Sequence, residues 1–449
     1  MSSEQRNRLT VATQTLGCKV SQYESEAIAE AFERVGYAVR PFDEVCDVYV
    51  INTCTVTAES DRKSRQMIRR AIKKNPSAIV CVCGCYSQTS PDEVASIEGV
   101  GIVIGTKDKL ALPELVEQVK EKRTKGDFSV LVKSETLEGA EFEPMCITRA
   151  PRTRAYVKIE DGCECRCTYC AIPGARGPVR SKSPEDVIQE VEALYRSGVR
   201  EVVLTGIETA SYGADFENGY RLGELLADLD RRKSAERIRL GSLTPELMTE
   251  KFVEKIRPLS VLVPHFHLSM QSGSDGVLRR MKRRYNIQMA KDALARLREA
   301  MPRVEFTTDL MVGFPGESEE EFEETLAFVR EARFLDIHVF AYSRRPNTPA
   351  ATYEGQVPED IKKRRSATLI SLKNEIRDQI LDTYIREERP LEVVMEKRSE
   401  DGSYSSHADS FVEVRVSVPR GTKDLRGEIV TVVPISHHNG VILAKLDKM

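Results

Sequence analysis

The sequence predicts an α/β protein of three parts joined by one linker. Strands and helices alternate over residues 8–124, which indicates an N-terminal βαβ domain with a parallel sheet. Six further strand–helix pairs over 153–385 indicate a partial, open-sided (βα)6 barrel, because a complete barrel has eight. Short strands between turn residues over 388–447 indicate a small antiparallel β-barrel. The polar stretch 125–152 is predicted to be the linker.

The N-terminal elements follow from the spacing of apolar residues. Three short segments are predicted to be strands: Thr10–Leu16, Asp47–Thr53 and Ala78–Cys85. A period of about 3.6 residues predicts helices over residues 21–36 and 60–74. In the first helix, four apolar residues share the face that we expect to be buried: Ile28, Ala31, Phe32 and Val35.

The central and C-terminal strands are predicted in the same way. Those of the central part are Ala155–Glu160, Glu201–Gly206, Arg237–Leu243, His265–Gln271, Glu305–Gly313 and Ile337–Ser343. Active sites of such barrels lie at the carboxyl ends of the strands. The C-terminal part has four predicted strands, within LEVVMEK, SFVEVRVSVP, GEIVTVVPI and GVILAKL. Small β-barrels often bind nucleic acid, so this part is a candidate RNA- or substrate-binding domain.

Composition limits the compartment and the partners. No apolar run in the 449 residues approaches the roughly 18 that a membrane helix needs, and MSSEQRNRLT lacks an apolar signal core. A cytoplasmic protein without a membrane partner is therefore expected, and its eleven cysteines are expected to be reduced. The net charge of −3 means that nucleic-acid binding would depend on local basic patches.

Three cysteines lie at or just past the ends of the three N-terminal strands: Cys18, Cys54 and Cys85. Ligands of open α/β sheets bind along the carboxyl edge of the strands, so we expect these thiols to converge there. The remaining cysteines outside the central part are interpreted as small buried hydrophobic residues: Cys46, Cys81, Cys83 and Cys146.

A second group of cysteines directly follows the first predicted barrel strand, in DGCECRCTYC. Its four thiols could make a zinc site, disulfides or an iron–sulfur cluster. Disulfides do not suit a reducing compartment. Zinc sites usually space a ligand pair by two to four residues, and no companion pair lies nearby. The alternative from a different functional class is an RNA-binding module with structural zinc. Without Cys165, the thiols of Cys163, Cys167 and Cys170 suit a four-iron cluster with one open iron.

The spacing Cys-x3-Cys-x2-Cys on this loop, with the aromatic Tyr169 before the last cysteine, resembles the radical S-adenosylmethionine (SAM) superfamily. The resemblance implies that Cys163, Cys167 and Cys170 hold a [4Fe-4S] cluster whose open iron binds the amine and carboxylate of SAM. It also implies that one electron cleaves SAM to a 5′-deoxyadenosyl radical, while the protein binds and orients the reactants. Cys165 is not among the implied ligands.

The same resemblance implies contacts to SAM at successive strand ends of the barrel. The candidate residues are Tyr169, Thr205, Gly206, Glu208, Ser242, Gln271 and Asp309. The alternative for each is an ordinary turn residue. Relatives often carry Glu where this chain has Thr244, so that contact is expected to be missing.

Upstream of the barrel, TLGCKVSQYESE, INTCTVT and CGCYSQTSP carry the three N-terminal cysteines. With a TRAM-like barrel at the C-terminus, these segments resemble the methylthiotransferases over residues 8–447. The resemblance implies that Cys18, Cys54 and Cys85 hold a second [4Fe-4S] cluster, whose open iron carries the sulfur. It also implies that two SAM molecules are used, one as methyl donor and one as radical source.

Within that family, the cysteine segments and YSRRPNTPA look most like the branch that acts on N6-threonylcarbamoyladenosine in tRNA, although Ser21 stands where that branch usually has Asn. This implies conversion of that nucleoside, at position 37 beside the anticodon, to its 2-methylthio derivative. The alternatives are the branches that act on isopentenyladenosine in tRNA or on a ribosomal-protein aspartate.

RNA contact has a second source in the sequence. The predicted helix 60–74 carries seven basic residues and begins soon after Cys54. The candidate contacts to a tRNA anticodon loop are Arg65, Arg69, Arg70 and Lys73, with a solvated helix face as the alternative. The resemblance also implies a reductant, such as flavodoxin or ferredoxin, and a sulfur donor that the sequence does not identify.

Overall fold

The computed structural model describes residues 8–447, which form two compact units. The first unit comprises the chain up to Ile147, together with Tyr156–Lys182 and Ser343–Thr348. The second unit comprises Thr148–Ala155, Ser183–Tyr342 and the chain from Pro349 onwards. The cysteine loop that follows the first barrel strand therefore belongs to the same unit as the N-terminal sheet. The domain boundaries drawn from the sequence stay a prediction.

The first unit alternates strands and helices. Its strands are β1 (Thr10–Thr15), β2 (Ala38–Val39), β3 (Val48–Thr53), β4 (Ile79–Gly84), β5 (Val100–Ile104), β6 (Leu131–Lys133), β7 (Arg154–Lys158), β8 (Glu160–Asp161) and β9 (Arg180–Ser181). The first two residues of β7 belong to the second unit. The helices are α1 (Lys19–Arg34), α2 (Ala58–Lys74), α3 (Cys85–Thr89), α4 (Pro91–Ala95), α5 (Leu112–Thr124) and α6 (Ile172–Arg176).

Six of these strands form one parallel sheet in the order β2-β1-β3-β4-β5-β6. The strands β1, β3 and β4 confirm the three predicted ones, with ends that differ by at most one residue. The sequence pattern did not indicate β2, β5 or β6. Strand β6 lies within residues 125–152, which were expected to be a linker, so part of that segment extends the sheet.

The sheet is covered on both faces, so its central strands are buried throughout. Cys46, Cys81 and Cys83 lie in the two hydrophobic clusters on its faces, which confirms their interpretation as buried hydrophobic residues. The same interpretation is wrong for Cys146, which is exposed between the buried Met145 and Ile147. Val35 is also exposed, because α1 ends one residue earlier and the periodicity of the helix no longer applies.

The second unit continues the alternation and ends in a β-barrel. Its strands are β10 (Glu201–Thr205), β11 (Arg237–Leu240), β12 (Ser242–Leu243), β13 (His265–Gln271), β14 (Glu305–Val312), β15 (Asp336–Ala341), β16 (Leu391–Arg398), β17 (Tyr404–Ala408), β18 (Glu413–Ser417), β19 (Ile429–His438) and β20 (Val441–Leu446). Its helices are α7 (Pro184–Arg196), α8 (Leu222–Arg232), α9 (Glu250–Ile256), α10 (Asp275–Arg280), α11 (Ile287–Ala300), α12 (Glu319–Ala332) and α13 (Glu359–Arg386).

The central strands are parallel, as an α/β core requires. Strand β10 pairs with β11, and β12, β13, β14 and β15 pair in sequence order. All six predicted central strands are present, but the first is interrupted at Ile159 and the third at Gly241. A Cβ atom there would lie 3.1 Å from Thr205 Oγ1 and 3.2 Å from Leu204 O, so this close approach of two strand ends favours glycine.

The C-terminal strands close into a barrel in the order β16-β17-β18-β20-β19. Four of the five match the predicted strands. The sequence analysis missed β17 because its residues, YSSHA, lack an apolar run. Within residues 8–447, no helix combines the length and apolar character that crossing a membrane requires.

Candidate metal centres and nucleic-acid interface

Three cysteines lie at the carboxyl edge of the first-unit sheet, each just past the end of one of three neighbouring strands. Cys18 caps α1 after β1, Cys54 directly follows β3, and Cys85 follows β4 and begins α3. The sheet order places β1, β3 and β4 side by side and parallel. The structure therefore brings the three predicted residues to one edge. Cys54 and Cys85 are buried there, whereas Cys18 is exposed.

Close backbone packing joins the three cysteine segments. The side-chain amide of Asn52, two residues before Cys54, donates to Ser21 O over 3.0 Å. Gly84, which precedes Cys85, has φ +100°, and a Cβ atom there would lie 2.5 Å from both Asn52 Oδ1 and Thr53 O. Only glycine accommodates this conformation and this contact. The sequence analysis did not identify Asn52 or Gly84 as supports of the site.

Burial favours the neutral form of two thiols at this edge, those of Cys54 and Cys85. Burial raises the pKa of Cys54 to about 11, and the nearby thiols of Cys85 and Cys18 also raise it. Burial likewise raises the pKa of Cys85, against a lowering effect of Arg176. Binding to iron removes the proton from such a thiol. The donor set is soft and sulfur-rich, which suits an iron–sulfur cluster.

Within residues 8–447, no three His, Cys, Asp or Glu side chains are arranged around a single metal ion. A four-iron cluster does not require that arrangement, because each cysteine binds a different iron atom. Three thiols on three neighbouring strand ends match the number of ligands that such a cluster with one open iron needs.

The loop with the second set of cysteines is fixed by its backbone. The amide of Cys163 donates to Gly177 O, and the amide of Cys170 donates to Cys167 O, both over 3.0 Å. Gly162 has φ +92°, and a Cβ atom there would lie 1.9 Å from Pro178 O. The loop therefore depends on glycine just before its first cysteine.

Cys165 has a visible role in the same loop, although not as a predicted ligand. Its backbone amide lies 3.5 Å from Cys163 Sγ, in the geometry of an N–H···S hydrogen bond. A cleft of about 710 Å³ opens beside this loop. It is lined by Cys163 and by charged residues of both signs, among them Glu138, Glu164 and Arg166.

A buried group of charged side chains lies next to the sheet edge. Glu24 on α1 pairs with Lys109, Lys158 and Arg176, at 2.5, 3.0 and 2.5 Å. Burial acts to raise the pKa of Glu24, but the three cations outweigh it and hold that pKa well below the usual range. Sequence reasoning missed this group. Glu24 itself could have indicated a buried charged group, because it lies four residues before Ile28 and therefore on the buried face of α1.

In the second unit, the predicted cofactor-binding residues lie at or near strand ends, with one exception. Thr205 ends β10 and is buried, Gly206 and Glu208 follow it, and Ser242 begins β12 after the break at Gly241. Gln271 ends β13 in the left-handed region, at φ +63°, with its side-chain carbonyl buried and without a hydrogen-bond donor among residues 8–447. Tyr169 lies in the first unit, within the cysteine loop.

The exception is Asp309, which lies in the middle of β14 rather than at its end. Its two carboxylate oxygens contact His267 Nε2 and His338 Nδ1, each at 3.1 Å. Burial acts to raise the pKa of Asp309, but both histidines lower it, and the net result is a strongly lowered pKa. The hydrogen bond with Asp309 raises the pKa of His338. Neither histidine was singled out from the sequence.

The basic helix α2 divides into paired and unpaired side chains. Arg65 pairs with Glu93 at 3.0 Å and donates to Tyr86 Oη over 2.9 Å, and Arg70 pairs with Asp43 at 2.5 Å. Arg69 and Lys73 are exposed, and neither forms an ion pair with any of residues 8–447. Of the four predicted RNA contacts, these two are available to an anionic partner; Lys63, which was not predicted as a contact, is likewise exposed and without an ion pair among residues 8–447.

Comparison with known proteins finds relatives along nearly the whole chain. The model of the radical SAM superfamily matches residues 157–329, and that of the uncharacterized protein family UPF0004 matches residues 10–105. The threonylcarbamoyladenosine tRNA methylthiotransferase MtaB of Bacillus subtilis is 43% identical over 94% of this chain and 93% of its own length. This chain belongs to the radical SAM methylthiotransferase family.

Other methylthiotransferases cover a similar share of the chain. MtaB of Aquifex aeolicus is 37% identical over 87% of this chain and 94% of its own. The tRNA-2-methylthio-N(6)-dimethylallyladenosine synthase of Carboxydothermus hydrogenoformans is 33% identical over 93% of this chain and 94% of its own. Among solved structures, the radical SAM methyltransferase TsrM of Kitasatospora setae has a TM-score of 0.56 over 77% of each chain, at 17% identity, which shows likeness of fold.

Radical SAM methylthiotransferases use SAM and two [4Fe-4S] clusters. The first unit has two sets of three cysteines that fit this requirement. One set lies at the sheet edge, and the other lies in the loop whose backbone is fixed by Gly162. The parallel-strand core predicted for a radical SAM enzyme is confirmed.

Proposed function

We propose that this chain is a tRNA methylthiotransferase that converts N6-threonylcarbamoyladenosine beside the anticodon to its 2-methylthio derivative, using two SAM molecules and a sulfur donor. The observation that carries the proposal is the 43% identity, over 94% of the chain, to a relative named for that activity. The gathering of Cys18, Cys54 and Cys85 at one sheet edge supports it, because sulfur transfer needs a site separate from SAM cleavage.

The proposed cofactor assignments follow the two cysteine sets. Cys163, Cys167 and Cys170 would hold the cluster at which SAM is bound, hereafter the barrel cluster. Cys18, Cys54 and Cys85 would hold the cluster that presents the sulfur, hereafter the auxiliary cluster. When bound, these groups would supply one-electron reduction of SAM and a transferable sulfur atom. The protein supplies thiolates in fixed loops, and it keeps Cys54 and Cys85 away from water.

We also propose that the predicted cofactor-binding residues contact SAM. Six of those for SAM are second-unit residues: Thr205, Gly206, Glu208, Ser242, Gln271 and Asp309. Tyr169 is the seventh. Gln271 has the clearest structural support, because its buried carbonyl lacks a donor within residues 8–447.

The proposed RNA contact is the exposed side of α2. Arg69 and Lys73 are exposed and unpaired, whereas Arg65 and Arg70 already have carboxylate partners. A tRNA substrate would be met in the cytoplasm, which is where we propose that the enzyme acts. A reductant such as flavodoxin or ferredoxin and a sulfur donor are needed by the reaction and are part of the proposal.

Nucleoside analysis of tRNA from a deletion strain tests the substrate. The strain should lose 2-methylthio-N6-threonylcarbamoyladenosine and keep its unthiolated parent, and a copy of the gene should restore the product. A copy carrying Cys54→Ala serves as the matched control and should not restore it. An unchanged profile, with no other methylthiotransferase present, would rule out this substrate.

The second candidate substrate is N6-dimethylallyladenosine. It is favoured by the relatives named for that activity, which are 32–36% identical over 81–95% of this chain. In the same experiment, loss of the 2-methylthio form of that nucleoside would select this candidate. If neither tRNA product changed, a ribosomal-protein aspartate would be the substrate to examine.

A further inference from the structure

Arg176 is fully buried beside one of the proposed cluster ligands. Its Nε donates a hydrogen bond to Cys85 Sγ over 3.3 Å, and its side chain is 0% exposed. It ends α6, which follows Cys170 and packs against α3, the helix that begins at Cys85. One guanidinium therefore connects the segments that carry both cysteine sets.

Arg176 is part of a buried group with an excess of positive charge. Ion pairs link six side chains of the first unit: Glu24, Lys109, Lys158, Asp161, Arg176 and Arg180. Four cations against two carboxylates leave +2 (4 − 2), and the nearby carboxylate of Glu143 reduces this to +1 when it is ionised. All six side chains are buried.

A buried excess charge is costly unless an anion balances it. Both carboxylates of the group are already shared among several cations, so they do not balance the excess. The Nε of Arg176 is directed at the sulfur of Cys85 instead. Thiolates on an iron–sulfur cluster are anionic, and hydrogen bonds to sulfur together with local charge set the cluster's reduction potential.

We propose that Arg176 is a positioning and charge-balancing residue of the auxiliary cluster, which orients the Cys85 thiolate and raises the reduction potential of that cluster. Glu24 opposes the effect, because it brings a negative charge to the same guanidinium. This inference rests on the proposed function, which assigns Cys18, Cys54 and Cys85 to the auxiliary cluster. Arg176 contacts a ligand of the cluster and not the reacting atoms.

The test is the midpoint potential of the auxiliary cluster in the full chain. The background protein combines three substitutions, so that only this cluster gives a signal: Cys163→Ala, Cys167→Ala and Cys170→Ala. It is reconstituted anaerobically and then titrated with redox mediators, with detection by electron paramagnetic resonance. Arg176→Gln should lower the potential by at least about 59 mV, which is a tenfold change for a one-electron couple. Glu24→Gln, which keeps hydrogen-bonding groups but removes the charge, should raise it. Arg176→Lys should restore part of the loss.

A matched control is Arg239→Gln, since Arg239 is equally buried but donates to Glu201 and to the carbonyls of Ala408 and Asp409, none of them a cysteine. It should leave the potential unchanged. The inference would be overturned if Arg176→Gln and Glu24→Gln shifted the midpoint potential in the same direction, or if neither variant shifted it. If Arg176→Gln does not fold, the rise in Glu24→Gln decides alone. A background protein without iron would overturn the ligand assignment of the proposed function, and this inference with it.

Discussion

Replacing Arg69 and Lys73 by glutamine should remove about two phosphate contacts from tRNA binding. Both side chains are exposed on α2 and form no ion pair with residues 8–447. Each contact to single-stranded nucleic acid contributes about 0.7 to the slope of log affinity against log salt, so the slope should fall by about 1.4. Raising the salt from 50 to 200 mM lowers the tRNA affinity of both proteins, and the factor by which it falls should be about seven times smaller for the variant than for the unsubstituted protein.

The assay is filter binding of tRNA over a potassium chloride series, with SAM cleavage in the absence of tRNA as a check on the rest of the enzyme. The control removes the same number of charges from the same helix, by Arg65→Gln and Arg70→Gln. Because Glu93 and Asp43 already neutralise these two arginines, their loss should change the slope by less than half as much. Equal slope changes for the two double variants, or no change in the first, would refute the assignment of this face to RNA.

Three further predictions concern stability and the cysteine loop. Burial raises the pKa of Glu305 to about 7, so the protein loses stability as the pH rises from the usual pKa of 4.5 towards 7. Glu305→Gln should therefore stabilise the protein by up to about 3 kcal/mol at pH 8 and by little at pH 4.5. Equal changes of the melting temperature at both pH values would contradict this. Gly162→Ala places a Cβ against Pro178 O and should cost about half of the reconstituted iron, measured against Gly174→Ala, where a Cβ meets nothing within 4 Å. Cys165→Ala should leave iron content, SAM cleavage and methylthio product nearly unchanged, because the backbone amide that donates to Cys163 Sγ is kept in the variant. Loss of iron would show that Cys165 is a ligand.

Local pattern was enough to predict the elements that present the cysteines. Strands β3 and β4 are apolar runs buried along their whole length in a parallel sheet, and such runs are recognisable without tertiary information. Strand β1 is less apolar, and two of its six residues are buried. Strands β2 and β6 have two and three residues, too few to show a period. Strand β17 is held by its neighbours in a closed barrel rather than by an apolar sequence of its own.

The supports of the candidate site depend on tertiary contacts. Arg176 and Glu24 are 152 residues apart, and no spacing rule relates them. Asp309 was predicted to lie at a strand end because barrel sites lie there, but its strand continues for three more residues and two histidines contact it. The thiol positions could be predicted because the edge of a parallel sheet collects residues that follow successive strands.

The central claim is that the two cysteine sets perform different parts of one methylthio transfer. The most direct measurement reacts the anaerobically reconstituted protein with SAM, a reductant, a sulfide source and tRNA that carries N6-threonylcarbamoyladenosine, and analyses 5′-deoxyadenosine and tRNA nucleosides by mass spectrometry. The unsubstituted protein should give both 5′-deoxyadenosine and the 2-methylthio nucleoside. A variant with Cys18, Cys54 and Cys85 changed to Ala should still cleave SAM and form no methylthio product. Methylthio product from that variant would contradict the account.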